Sequence, residues 1–278
     1  MPARRALSVL LALLGCAACA DISPVGDPET LTPISNDPKQ PVSNDVLRYL
    51  GEQELDGVLH RYRFVGGKLD DTKGGATLQL RAGQPGNGLL VGDAVILDGN
   101  TRFIFPSANG SWLKANTDFS LEVVLAPGQG PPPGLVFGKY CRGVSIELST
   151  DGQSVTVAFR NDLAERSLSA PLSAGPHHVV LAVFPRSPPA ETVFRGELYV
   201  DGVLGQKIDD PKFVFAMCDA DLFIGGADGV TPVLSRVGYK GTLDEIAFYG
   251  TQLNAERVSA HARAFKTLTL GQPELKGQ

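Results

Sequence analysis

No run of apolar residues in this sequence reaches the about 20 that a transmembrane helix needs. Gly-x-Ser-x-Gly, His-x-x-x-His and the phosphate-binding glycine loop are all missing, so serine-hydrolase, zinc-peptidase and nucleotide-driven chemistry lack their usual frames. Positive charge is also short: 25 Lys and Arg stand against 30 Asp and Glu, for a formal net charge of −5. An acidic surface disfavours nucleic acid and anionic lipid as partners. Tryptophan occurs once, as Trp112, and cysteine four times, two of them within the first 20 residues.

What is present begins with an export signal. Arg4 and Arg5 precede an uncharged apolar run from Ala6 to Leu14, followed by Gly15-Cys16. Leu13-Leu14-Gly15-Cys16 resembles the lipobox of bacterial lipoproteins, which implies that Cys16 takes a diacylglycerol thioether and becomes the mature N-terminus. Cys19, behind Ala17-Ala18, is a rival acceptor, and secretion after cleavage near Ala18 or Ala20 is the alternative to an anchor. Loss of the two leader arginines carries the formal charge from −5 to about −7. Attachment to a membrane would then come from acyl chains, not from a basic patch.

Three segments follow from this reading: a signal peptide over 1–15, a tether over 16–45, and one folded domain over 46–278 with its core at about 58–265. The tether is Asp, Pro, Ser, Thr and Asn with scattered aliphatics, too little apolar surface to offset its ordering entropy. Cys141 and Cys218 are the pair left inside the domain. In an exported protein such a pair is expected to be bridged, the alternative being two buried thiols.

Within the domain, alternating apolar and polar residues bounded by Gly, Pro, Asn or Asp recur and predict strands. Thr101-Arg-Phe-Ile-Phe105, Gly143-Val-Ser-Ile-Glu-Leu-Ser149 and Ser154-Val-Thr-Val-Ala-Phe-Arg160 are examples, the last two joined by Asp151-Gly152 as a hairpin. Asn254 caps a predicted helix over 255–265, and a shorter helix is suggested from Asp45 by Val46, Leu47 and Leu50. Many strands with one C-terminal helix predict an all-β, two-sheet antiparallel sandwich.

Eight short motifs then fall in a known order: Tyr62 to Asp71, Ile96-Leu-Asp-Gly-Asn100, Phe119-Ser-Leu-Glu-Val123, Gly175-Pro-His-His-Val-Val180, Leu198-Tyr-Val-Asp-Gly202, Leu222-Phe-Ile-Gly-Gly226, Gly241 to Tyr249, and Leu253 to Val258. This series resembles the concanavalin A-like jelly roll in its bacterial laminin-G-like branch. The resemblance implies a binding module for a glycan or a cell-surface protein. It also implies a structural calcium ion held by Asp244, with Asp98 as a second carboxylate. Trp112 is the candidate for stacking on a sugar, its alternative a buried structural role.

The same fold hosts glycoside hydrolases, which carry a Glu-x-Asp-x-x-Glu run on one strand; this chain has none. Asp70-Asp71 and Asp209-Asp210 read as solvated turns. Asp244-Glu245 places its members on opposite faces of a strand. His177 and His178 point apart for the same reason. The expectation is a non-catalytic, envelope-anchored binding protein.

Overall fold

Phe119–Pro127 sets Ser120 and Glu122 between apolar residues, whereas His177–Phe184 is apolar on both faces beyond its two histidines. Both are buried along almost their whole length, on both faces. A strand buried on both faces must be covered on both sides, and the architecture supplies this with a second sheet beneath and two helices above. The computed structural model describes residues 44–64, 68–82, 90–91, 94–106, 118–128, 134–141, 143–184, 194–215, 217–227 and 237–270. Cys16, Cys19 and Trp112 lie outside the described residues.

The first sheet has eight strands: β1 (Val58–Tyr62), β3 (Leu90–Val91), β4 (Ala94–Asp98), β6 (Phe119–Pro127), β11 (His177–Phe184), β12 (Phe194–Val200), β13 (Val203–Asp210) and β15 (Lys240–Tyr249). Their order is β13-β12-β11-β6-β15-β4-β3, with β1 also paired to β15. The second sheet comprises β2 (Gln79–Ala82), β5 (Arg102–Phe105), β7 (Gly134–Cys141), β8 (Val144–Thr150), β9 (Ser154–Arg160), β10 (Glu165–Pro171) and β14 (Leu222–Ile224), in the order β10-β9-β8-β7-β14-β5-β2. Every pairing between these strands is antiparallel.

Between the sheets lies one continuous apolar core. Leu121, Val123, Val179, Leu181 and Phe248 meet Phe103, Phe105, Ile146, Leu148, Val157 and Phe159 there. A bulge between Leu243 and Glu245 makes Asp244 the extra residue of β15. It resets the alternation, so Leu243, Ile246 and Phe248 join the main core while Ala247 and Tyr249 belong to a second cluster on the other face. At the turn from β12 to β13, Asp201 and Gly202 both have positive φ, 52° and 81°, the geometry a two-residue hairpin needs.

Two helices pack together against the first sheet: α1 (Asn44–Leu55) and α2 (Ala255–Leu270). Asn254 caps α2, its Oδ1 accepting the Arg257 N–H at 3.0 Å. The fold therefore has a second helix beside the C-terminal one. Another reading is corrected: Asp71 is not a solvated turn residue but buried. It accepts hydrogen bonds from the Arg61 and Lys73 N–H groups, both at 2.9 Å, and pairs with His60 Nδ1 at 2.6 Å. Burial alone would raise its pKa, but these donors hold it down to about 2.

Cys141 and Cys218 are joined, with their Cα atoms 5.7 Å apart. The bond ties the end of β7 to the segment entering β14.

Candidate functional site

The two sheets present very different outer faces. On the first, Val124, Val180, Ala182, Tyr199, Ala247 and Tyr249 are buried although they face away from the main core. Helices α1 and α2 cover them, Val258 and Leu253 packing in one cluster and Tyr49, Ala264 and Phe265 in another. Beneath the helices lies a network of charged groups centred on Glu122 of β6.

Glu122 accepts from four donors. Tyr49 Oη lies 2.6 Å from Oε1 and His178 Nε2 also 2.6 Å; His261 Nδ1 is 3.1 Å from Oε2, and the Tyr249 hydroxyl reaches the same oxygen. Burial on its own would raise the Glu122 pKa, yet the two histidines hold it well below the usual carboxylate range. An ionised carboxylate only accepts, so both imidazoles donate to it. The other nitrogen of His261, Nε2, faces Asp56 Oδ2 at 2.8 Å. Burial opposes a charge on this ring, but carboxylates on both sides push its pKa up to about 9. His178 Nδ1, in contrast, is buried with no hydrogen-bond partner among the described residues. Its ring stacks against Phe265, centroids 5.9 Å apart.

A second carboxylate, Glu245, is buried nearby. It takes the Gln53 amide and has Arg63 Nε at 3.5 Å. Burial, with Glu122 adding to it, raises its pKa. Arg257 closes the top of the assembly, holding both oxygens of Asp56 at 2.9 Å and Glu52 Oε2 at 2.7 Å. Glu122, His178 and His261 bring one ligand atom each to within 4.8 Å of one another, a grouping able to hold a metal ion. With both helices in place the network is sealed, and it offers no surface to a glycan.

His177, on the opposite side of β11 from His178, sits in an arrangement that looks like a hydrolase triad. Its Nδ1 is 2.9 Å from Asp201 Oδ2, and its Nε2 is 3.4 Å from Ser173 Oγ. The same Nε2 lies closer, 2.9 Å, to the backbone oxygen of Ser173. A nitrogen that donates to a carbonyl has no lone pair for the serine proton. These contacts pin the start of β11 to the β12–β13 turn, where Asp201 Oδ1 also accepts the His178 N–H at 3.0 Å.

The outer face of the second sheet is different. Among the described residues, no helix packs on it. One cross-strand row runs Ile104, Phe223, Gly138, Glu147, Ala158, Ser167; the next runs Tyr140, Ser145, Arg160, Glu165; another runs Leu135, Ser149, Thr156, Ser169. Tyr140, half-buried, lies back over Gly138: a Cβ at that glycine would stand 2.7 Å from the tyrosine hydroxyl. Phe223 packs on the same ring, centroids 6.0 Å apart. Arg160 bridges two acids, Glu147 at 2.9 Å and Glu165 at 2.7 Å. Ile104, Leu135, Ser145, Glu147, Ala158 and Phe223 of these rows are buried; Tyr140, Ser149, Thr156 and Arg160 are half-buried, and Glu165, Ser167 and Ser169 are exposed.

The calcium candidates do not come together. Asp98 stands opposite Lys240 in the β4–β15 pairing, four residues before Asp244. At about 3.3 Å per residue they are roughly 13 Å apart, too far to share an ion whose oxygens lie about 2.3–2.6 Å away. Asp98 Oδ1 instead caps its own turn, accepting the N–H groups of Asn100 at 2.8 Å and Thr101 at 2.9 Å. Asp244 is half-buried in the β15 bulge.

No known protein family matches the chain in sequence, and no curated protein does either. Solved structures do match in shape. Domain 4 of an extracellular arabinanase from Geobacillus stearothermophilus, solved with arabinotriose, superposes with a TM-score of 0.53 at 17% identity, over 74% of this chain and 98% of that domain. The binding domain of botulinum neurotoxin DC, solved with rat synaptotagmin II, gives a TM-score of 0.57 at 10% identity. The same toxin domain in complex with SialylT gives 0.54, also at 10%. The fold is a concanavalin A-like jelly roll. In both toxin matches the alignment covers 77% of this chain and 52% of the toxin domain, so the jelly roll accounts for about half of that relative.

The sequence reading missed the Glu122 network. Its signal was there: Val180 and Ala182 alternate with Val179, Leu181 and Val183, so β11 is apolar on both faces and needs two covers.

Proposed function

We propose that this protein is a non-catalytic glycan-binding module of the bacterial cell envelope, with its ligand on the outer face of the second sheet. The observation that carries this reading is that no helix covers this face among the described residues, with Tyr140 laid over Gly138, Arg160 in the same cross-strand row, and Thr156 and Ser169 farther along the face. An aromatic face offers apolar area to one side of a sugar ring, while neighbouring hydroxyls and a guanidinium satisfy the sugar's own hydroxyls. The arabinanase domain bound to arabinotriose and the toxin domain bound to SialylT lend the fold precedent for such ligands.

Catalysis is not part of the proposal. Glu147 and Glu165, the carboxylates of that face, are both engaged by the Arg160 guanidinium, whereas glycoside hydrolysis needs one acid to give up a proton and the other to act as nucleophile or base.

A glycan array probed with the purified protein tests the reading. Tyr140→Ala is expected to weaken the best ligand at least tenfold, about 1.4 kcal/mol, when assayed below its own melting transition, which the lost packing on Phe223 lowers. An array with no glycan retained, or retention untouched by the substitution, would place the function elsewhere, a protein ligand being the next reading.

Anchoring at Cys16 belongs to the same proposal, supported by the charged leader and the Leu-Leu-Gly-Cys run. Cys16→Ala is expected to abolish labelling by a palmitate analogue in cells. Label that persists and is lost only with Cys19→Ala moves the anchor to that cysteine.

A further inference from the structure

We propose that Glu122, His178 and His261 form a structural site for one divalent transition-metal ion, zinc by preference, buried between the first sheet and the two helices. The assignment is independent of the glycan reading, because the site lies on the opposite side of the sandwich.

Donor type is the first argument. Two imidazoles and one carboxylate suit zinc and its neighbours, whereas calcium and magnesium take oxygen. All three side chains are at most 1% exposed, from two adjacent strands and a helix: β6, β11 and α2. Geometry is the second. Tetrahedral zinc with bonds of about 2.0–2.1 Å sets its ligand atoms roughly 3.4 Å apart. Here Glu122 Oε1 lies 2.6 Å from His178 Nε2 and Oε2 lies 3.1 Å from His261 Nδ1, and one ligand atom from each of the three residues falls within 4.8 Å of the other two, close enough to supply three of the four ligands once the side chains turn toward a common centre.

Two of the three ligands, His261 and Glu122, have supporting groups behind them. Asp56 takes the far nitrogen of His261, fixing the ring so that Nδ1 points at Glu122. A carboxylate behind a histidine is the usual support for a metal ligand. Tyr49 and Tyr249 hold the Glu122 carboxylate in turn. Gln53, Glu245 and Arg63 lie on the same covered face and complete the charge balance there.

A metal needs a lone pair on His178 Nε2 and on His261 Nδ1, so the protons these atoms share with Glu122 must leave or move to the far ring nitrogen, which for His261 faces Asp56 Oδ2.

Because the helices seal the site, loading has to occur during folding. The full chain is refolded from denaturant with zinc or with chelator, dialysed, and assayed by elemental mass spectrometry and thermal melting. About one zinc per chain is expected, with a rise in melting temperature of roughly 5–15 °C over the chelated form. The His178→Gln/His261→Gln pair is expected to lose the ion. If that variant does not fold, copper(II) loaded into the wild type replaces it as the test. Nitrogen splitting from two imidazoles in its electron-spin resonance then supports the site, and an all-oxygen signal overturns it. Equal melting temperatures with no retained metal, or full retention by a folded double variant, likewise overturn the assignment.

Discussion

Glu122→Ala is expected to lower stability by about 3–5 kcal/mol, the penalty for breaking a buried charge pair from one side. The carboxylate answers four donors at once, from α1 (Tyr49), β11 (His178), β15 (Tyr249) and α2 (His261). Its removal strands the Tyr49 and Tyr249 hydroxyls and His178 Nε2, and leaves a buried His261 with Asp56 as its remaining carboxylate. Two helices would then lose their common anchor on the first sheet. Glu122→Gln keeps the volume and one acceptor oxygen, so its loss is expected to be smaller, though its amide would face donors. Chemical denaturation of both variants measures this. Equal stability of Glu122→Ala and wild type would show that the apolar contacts of Phe265, Val258 and Leu253 hold the helices without help.

The same residue marks the limit of what could be read from the chain alone. Strand positions, the Asp-Gly hairpins and the cap at Asn254 follow from local chemistry, and each appears where period and turn residues place it. Burial of a polar residue is a long-range property. Glu122 in Phe-Ser-Leu-Glu-Val looks like any outward-facing strand residue until α2, 139 positions later, brings His261 against it. Asp71 was misjudged for a related reason: its neighbours Asp70 and Lys73 are exposed, and only the pairing with His60 on β1 draws its side chain inward. The polar outer face of the second sheet was legible as alternation in β8, β9 and β10, but the position of Tyr140 over Gly138 depends on β7 lying between β14 and β8. Asp98 and Asp244 were joined by motif order, and strand register then set them apart.

Removing the disulfide is expected to be the other large loss. Cys141 and Cys218 are 77 positions apart, and closing a loop of that size in the unfolded chain is worth about 4 kcal/mol. The folded side changes little, since β7 and β14 already pair through Lys139 and Leu222, four residues from Cys218. The Cys141→Ser/Cys218→Ser protein should therefore keep its fold while melting roughly 8–16 °C lower. Intact mass after alkylation without reductant is the companion measurement: the wild type should gain no alkyl group on this pair. The loss should also reach the proposed ligand face, because Tyr140 directly precedes Cys141 at the end of β7. Its ring rests on Phe223, the residue after Leu222 on β14, so freeing the two segments loosens both halves of that aromatic pair. Reduction should thus weaken glycan binding along with stability, whereas Glu122 variants that remain folded should leave it intact. An unchanged melting temperature in the double serine variant would mean that the strand pairing, rather than the covalent bond, restrains this end of the sandwich.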